Sequence, residues 1–173
     1  MNKIKSKKNN WYQYNHIKQI AISGLMVGVA VIVGFFGYFP LAGGNVYLLA
    51  AVIFLFPLVL KLPYAILSTI SAVIMVDSLT GYIAFTWISI IAYVGAILII
   101  WTMGLLKIKI IFLLSTLVAS AYLIFIFLSL EWIIFGKSYA LKDAIATTIQ
   151  MSIVLPIVYI FYIPIKKSVK FVI

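Results

Sequence analysis

The sequence predicts an all-α integral membrane protein, a bundle of six transmembrane helices with both termini in the cytoplasm. Three observations predict it. First, 66% of the 173 residues are hydrophobic, 9% are charged and the mean hydropathy is +1.25, against about 45–50% apolar and about 25% charged in soluble domains. Second, between Gln19 and Ile165 only Lys61, Asp77, Lys107, Lys109, Glu131, Lys137, Lys142 and Asp143 carry charge, and each sits at a break between apolar runs. Third, runs such as 110–130 are apolar on every face and lack the period-two alternation of a membrane barrel. Lipid offers no partner for a backbone N–H or C=O, so such runs must be helical.

The elements follow in order. A spanning helix needs roughly 20 apolar residues. The first span covers about 17–38 and ends in the turn-rich stretch Pro40–Leu41–Ala42–Gly43–Gly44–Asn45. A second covers about 46–60 and breaks at Lys61–Leu62–Pro63, with Pro63 suited to the first turn of the third, about 63–79. Asp77 and Thr80–Gly81 close that one. The fourth, about 82–106, stops at Lys107–Ile108–Lys109, and the fifth covers about 110–130. The sixth begins near Asp143, an acid suited to a helix N-terminus, and ends near Ile165. The domain organisation is a basic segment 1–16, one membrane domain 17–165 and a basic tail 166–173. The second and third spans are short, which predicts thinning, tilt or shielding by neighbours.

Charge sets the direction. All 13 cationic residues are lysines. With alternating sides and a cytoplasmic N-terminus, 11 of the 13 fall inside, and Lys137, Lys142 and the three acids fall outside. The inverted arrangement violates the positive-inside rule.

Composition also excludes classes. The net charge of +10 lies at membrane edges, where anionic headgroups account for it, so no nucleic-acid partner is expected. There is no cysteine. The lysine-rich start resembles a signal-peptide n-region, but no A-x-A site follows, and the reading is an uncleaved first helix. Intramembrane Ser–His hydrolysis needs a His near a span; the only one, His16, sits at the cytoplasmic edge with Trp11, Tyr12 and Tyr14. The three acids are far apart in sequence with no His beside them, so no metal centre is expected. No enzyme is predicted. No buried chain of ionisable residues marks a proton path either.

Ala21, Gly24 and Gly28 share one face of the first helix. In lipid such faces allow close backbone approach, either inside the bundle or to another membrane subunit. The stripes Ala65/Ser68/Ala72 and Ala92/Gly95/Ala96 are expected to serve internal packing. A small-molecule site needs apolar walls and a few convergent polar groups. The outer-side candidates are Asn45 and Tyr47; Asp77, Tyr82, Thr86 and Trp87; Glu131, Trp132 and Tyr139 in a fifth loop; and Thr147, Thr148 and Gln150 on the last helix. Several have plain alternatives: an interfacial belt for Trp132 and Tyr139, a helix cap for Asp77, a turn for Asn45. The absence of arginine disfavours a polyanionic ligand. A neutral or weakly charged ring compound fits better.

Gly43-Gly44-Asn45-Val46-Tyr47-Leu48, then Ala50-Ala51-Val52-Ile53, then Ala72, Asp77, Gly81-Tyr82 and Thr86 together resemble the substrate-binding S component of energy-coupling factor (ECF) vitamin importers, closest to the riboflavin-type and hydroxymethylpyrimidine-type families. The resemblance spans about residues 17–95 by motif and the remainder by topology. It implies a subunit of a bacterial cell membrane that captures a water-soluble vitamin or precursor outside, then topples in complex with a membrane coupling subunit and two cytoplasmic ATPases. The ligand site is expected among the outer-side candidates Asn45, Tyr47, Asp77, Tyr82, Thr86, Trp87, Trp132, Tyr139, Thr147 and Gln150; the resemblance places Gly24 and Gly28, which share a face with Ala21, on the surface that docks the coupling subunit. No cofactor is expected in this chain; without a G-x-x-x-x-G-K-[ST] motif, ATP and Mg belong to partners. Many relatives carry Lys and Glu where this chain reads Ile88–Tyr93, a departure that counts against riboflavin in particular. The neutral or weakly charged ring favoured by the lack of arginine is met by pyridoxine-like and hydroxymethylpyrimidine-like compounds, with riboflavin next. The alternatives are a membrane assembly or scaffold subunit and a stand-alone facilitator.

Overall fold

The computed structural model describes residues 2–41, 44–104 and 110–168, with side chains from His16 to Pro40, Asn45 to Gly104 and Ile110 to Ile165. The Lys107/Lys109 turn and the side chains of both lysine-rich tails therefore lie outside the described residues. Among the described residues the fold is helical apart from one hairpin and short turns. Helix α1 runs Asn2–Phe36, without a break near 16, into strands β1 (Tyr38–Leu41) and β2 (Gly44–Tyr47). Short helices α2 (Leu49–Ile53) and α3 (Phe56–Val59) lead to α4 (Leu62–Thr80). A 3₁₀ turn, Ile83–Phe85, opens α5 (Thr86–Gly104); α6 (Ile111–Phe135) and α7 (Lys137–Ser168) complete the fold. Five segments are long and apolar enough to cross a membrane: His16–Phe36, Leu62–Thr80, Ile83–Gly104, Ile111–Phe135 and Lys137–Ile165. This is a multi-pass α-helical membrane protein.

The stretch expected as a second helix over 46–60 is not one helix. Val46 and Tyr47 belong to a strand, paired Phe39↔Val46 and Tyr38↔Tyr47. Beyond Leu48 the backbone makes one turn of helix, loosens at Phe54–Leu55, makes a second turn with Pro57 in its N-terminal positions, and is extended at Leu60. Proline lacks the N–H that a continuous helix would need there. The two ends of this stretch are fixed: the Leu48 N–H bonds the Gly37 carbonyl, and the Lys61 N–H bonds Gln19 Oε1. Gln19 to Gly37 along α1 is about 27 Å at 1.5 Å per residue. The shorter stretch from Leu48 to Lys61 covers that distance only by being stretched to about 2 Å per residue. Lipid would not tolerate such a backbone, and it has none to face: Leu49 to Leu58 and Leu60 are all buried.

The fifth loop expected between Glu131 and Lys142 is also absent. Helix α6 continues to Phe135, Gly136 alone makes the junction with φ +85°, and α7 starts at Lys137 rather than near Asp143. A residue with a Cβ rarely adopts that φ, so glycine is what permits a one-residue junction. Glu131, Trp132, Tyr139 and Asp143 are accordingly helical. At the end of α4, Gly81 (φ +82°) caps the helix and the Tyr82 N–H returns to the Asp77 carbonyl at 2.8 Å.

The two inner stripes pack as expected. Ala65, Ser68 and Ala72 are buried on α4, and Ala92 and Ala96 on α5, where the Tyr122 ring fills the space beside Gly95. The α1 stripe does not: Ala21, Gly24 and Gly28 are exposed, with open space where a Cβ would stand on either glycine. That rules out internal packing for this face. Most hydroxyls within the spans satisfy themselves by bonding a carbonyl one turn back, as Thr69, Ser78, Thr102, Ser120, Thr148 and Ser152 do.

Candidate ligand-binding cavity

At the hairpin end of the bundle, β2, α4, α5, α6 and α7 surround a cavity of about 60 Å³. A water needs about 10–15 Å³ by this measure, so there is room for roughly five. Its walls are Asn45, Tyr47, Leu49, Asp77, Tyr82, Phe85, Ser89, Tyr93, Phe127, Glu131, Tyr139, Asp143, Thr147 and Gln150.

The roof is aromatic and hydrogen-bonded. The Tyr38 hydroxyl donates to Asn45 Oδ1 at 3.0 Å and lies 3.2 Å from the Tyr82 hydroxyl. Rings of Tyr38, Tyr47 and Tyr82 are mutual neighbours at 5.2–6.2 Å between centroids. The Tyr82 hydrogen bond, and then burial, push the Tyr38 hydroxyl up to about 12. Burial pushes the Tyr47 hydroxyl further above the usual phenol range, with Thr80 partly opposing it by a hydrogen bond. Both phenols are therefore neutral. Beyond them Phe85 stacks on Phe135 at 4.8 Å and on Tyr139 at 6.2 Å.

Gln150 ties three walls together. Its Oε1 accepts the Tyr47 backbone N–H at 3.1 Å, and its Nε2 donates to the Tyr93 hydroxyl at 3.4 Å. An amide buried to 4% exposure would be costly without such partners. Thr147 donates to Asp143 Oδ2 at 3.4 Å, and the Asn45 backbone N–H also serves Asp143. Asp143 stands beside Glu131. Ser89 and Thr86 flank Asp77.

Of the ten expected ligand residues, the cavity gathers seven: Asn45, Tyr47, Asp77, Tyr82, Tyr139, Thr147 and Gln150. Thr86 does not line it; its buried hydroxyl stands behind Asp77. Trp87 and Trp132 do not line it either, being about half exposed, with the Lys137 ammonium 5.5 Å from the Trp132 ring centre. Trp87 lies two residues before the lining residue Ser89 and Trp132 one residue after Glu131, about 200° and about 100° round their helices. Thr148 also points outward.

Leu49, Phe85, Ser89, Tyr93, Phe127 and Asp143 complete the lining without having been expected, and Glu131 joins them from α6 instead of from a loop. A signal was present. Phe127 and Glu131 are four residues apart, as are Ser89 and Tyr93. Tyr139, Asp143, Thr147 and Gln150 follow at four, four and three, which is one face of a helix that begins at Lys137. Among the described residues no cluster of His, Cys, Asp or Glu is arranged to hold a metal ion. Compared with protein-family models, curated proteins and solved structures, the chain matches none.

Proposed function

We propose that this chain is the substrate-binding subunit of an ECF-type importer in a bacterial cell membrane. On this reading it captures a water-soluble vitamin or precursor at the hairpin end, which faces outward, and delivers it through a membrane coupling subunit and two ATPases. One observation carries the reading: the polar side chains of five separate elements converge on a single closed-bottomed cup. Below Leu49 the bundle is filled by Ile53, Phe54, Phe56, Leu58 and Leu60, all essentially without exposure. A cup with such a floor suits capture better than free passage.

Leu49–Leu60 is counted here as the second of six crossings, which keeps both termini on the cytoplasmic side with Lys61. The room for roughly five waters favours a single-ring compound, pyridoxine-like or hydroxymethylpyrimidine-like, over the three fused rings of riboflavin. The open Ala21–Gly24–Gly28 face supports docking to the coupling subunit, since nothing in the bundle covers it. No catalytic step or cofactor is assigned to this chain.

The test is a thermal-shift screen of B vitamins and their precursors on the purified protein without ATPases. A ligand at 100 times its Kd stabilises by about 2.7 kcal/mol, a readily measured rise in Tm. No response across the panel would sink the reading. Uptake into liposomes by this chain alone would replace it with a facilitator.

A further inference from the structure

The chain has three acidic residues, and all three, Asp77, Glu131 and Asp143, line the one cavity described above. They are 54 and 12 positions apart in sequence and arrive on three different helices. None of the lysines among the described residues lines it. Lys61 is at the opposite end with Gln19, and Lys137 and Lys142 are exposed.

Two of these carboxyl groups are incomplete. Asp77 is 6% exposed and Glu131 3% exposed, yet Asp77 Oδ2 and Glu131 Oε2 have no hydrogen-bond partner. Their neighbours leave these oxygens unserved: Ser89 and Thr86 stand beside Asp77, and Glu131 stands beside Asp143, whose own donors are Thr147 and the Asn45 backbone N–H. A carboxyl oxygen withdrawn from water without a donor is costly, and such groups within a membrane bundle mark a pathway or a ligand. Around them stand the faces and edges of Tyr47, Tyr82, Phe85, Tyr93, Phe127 and Tyr139. Aromatic faces attract cations through the ring quadrupole, most strongly where water is excluded.

Carboxyls within an aromatic box, with no cation of the protein's own, form a receptor for positive charge. We propose that the cavity binds a small organic cation, a single-ring or alkyl-sized ammonium or pyridinium, with Asp77 and Glu131 supplying its missing counter-charges. The inference rests on the ligand-binding reading above and names its substrate class. It departs from the neutral or weakly charged ring that the sequence suggested. A metal ion is the weaker fit, because the acids do not group as ligands around one point.

The experiment compares matched pairs: benzylamine against benzyl alcohol, which are near-isosteric, and 1-methylnicotinamide against nicotinamide, which differ by the charge and one methyl group. Thermal shift and calorimetric titration are run on the purified full chain at neutral pH. At least one cation should bind ten times more tightly than its neutral partner. In the Asp77→Asn and Glu131→Gln variants, separately, the preference should collapse to less than threefold while the neutral member is unaffected. The preference within wild-type protein stands whether or not a variant folds.

Equal or tighter binding of the neutral members overturns the cation assignment and leaves the receptor reading intact. So does silence of every cation when a neutral compound from the vitamin screen raises Tm. Equal loss for both members of a pair in the variants means altered shape, and also overturns it. A Tm rise with Mg²⁺, Ca²⁺ or Mn²⁺ alone matching the best organic cation reassigns the carboxyls to a metal. Silence in both the pairs and the vitamin screen removes the receptor reading along with the inference.

Discussion

Helices α1 and α5 carry the same written signature, small residues at three- and four-residue spacing, and use it in opposite ways. On α5, Ala92 and Ala96 have no exposure and Gly95 receives the Tyr122 ring, while Ser89 and Tyr93 on the adjoining face line the cavity. On α1, Gly24 and Gly28 meet nothing, and only 11% of an apolar 18-residue stretch of that span is buried, against 39% for the corresponding stretch of the span containing α5. Leu25, Ile32 and Phe36 are exposed beside them. Small residues permit close approach, but they do not say whether the approaching helix belongs to the same chain. The difference divides labour: α5 commits its small face to the fold and the cup, whereas α1 packs on α2 and α4 through Ala30 and Gly34 and leaves its small face open.

The largest effect that tests this division is Gly95→Leu. A bulky side chain would occupy the Tyr122 ring's place, and overpacking of this kind costs about 3 kcal/mol. We expect a steep fall in Tm or loss of monodisperse protein by size-exclusion chromatography. An unchanged Tm would show that α5 and α6 separate easily and would erase the contrast.

Next is Tyr93→Phe, which leaves Gln150 Nε2 without its acceptor. A lost hydrogen bond of this kind is worth about 1 kcal/mol of fold stability, so Tm should fall modestly. The best compound from the vitamin screen should bind more weakly in calorimetric titration because Gln150 is no longer held in place. Affinity equal to wild type would detach α5 from the cup.

The hairpin that follows α1 provides a pH test. The neutral Tyr38 hydroxyl is favoured in the fold, so its contribution is fully present below an ordinary phenol pKa of about 10 and is lost as pH rises through about 12. Alkaline titration of Tm should be shallower over this interval in Tyr38→Phe than in wild type. Coincident curves would mean that the Tyr38–Tyr82 contact is not maintained in solution.

Smaller still is Gly28→Leu. With open space around it, stability should stay within about 0.5 kcal/mol of wild type and ligand affinity should not change, whereas, under the function proposed above, co-purification with a membrane coupling subunit should be lost. Retained co-purification would move the docking face elsewhere. The smallest effects belong to Trp87→Ala and Trp132→Ala, for which no change in affinity is expected.

Most of the helical fold was legible because an apolar run in lipid has few other options. Helix ends at Lys61 and Gly81 follow from charge and glycine, and seven cavity residues follow from polarity set in an apolar context. What escaped did so for definite reasons. The run 46–60 reads as one span by hydropathy, but Pro57 and the pairing of Val46 and Tyr47 with β1 break it. Lys137 and Lys142 suggested a loop because charge is costly in hydrocarbon; both are exposed on a helix. That misplaced the start of α7 and hid the stripe on which Tyr139, Asp143, Thr147 and Gln150 lie together. Asp143 in particular looked like a helix-terminal acid, when it stands in the second turn and turns toward the cup.

The stretched, proline-broken chain from Leu49 to Leu60 has a consequence for biogenesis. A segment with so incomplete a ladder of its own hydrogen bonds cannot reside among acyl chains as a lone early intermediate. It has to be sheltered, by the insertion machinery or at the membrane surface, until α4, α5 and α7 have been synthesised and can wrap it. A cysteine placed within 49–60 should therefore react with a water-soluble maleimide in nascent chains truncated just after Lys61 and be protected in chains truncated after α7.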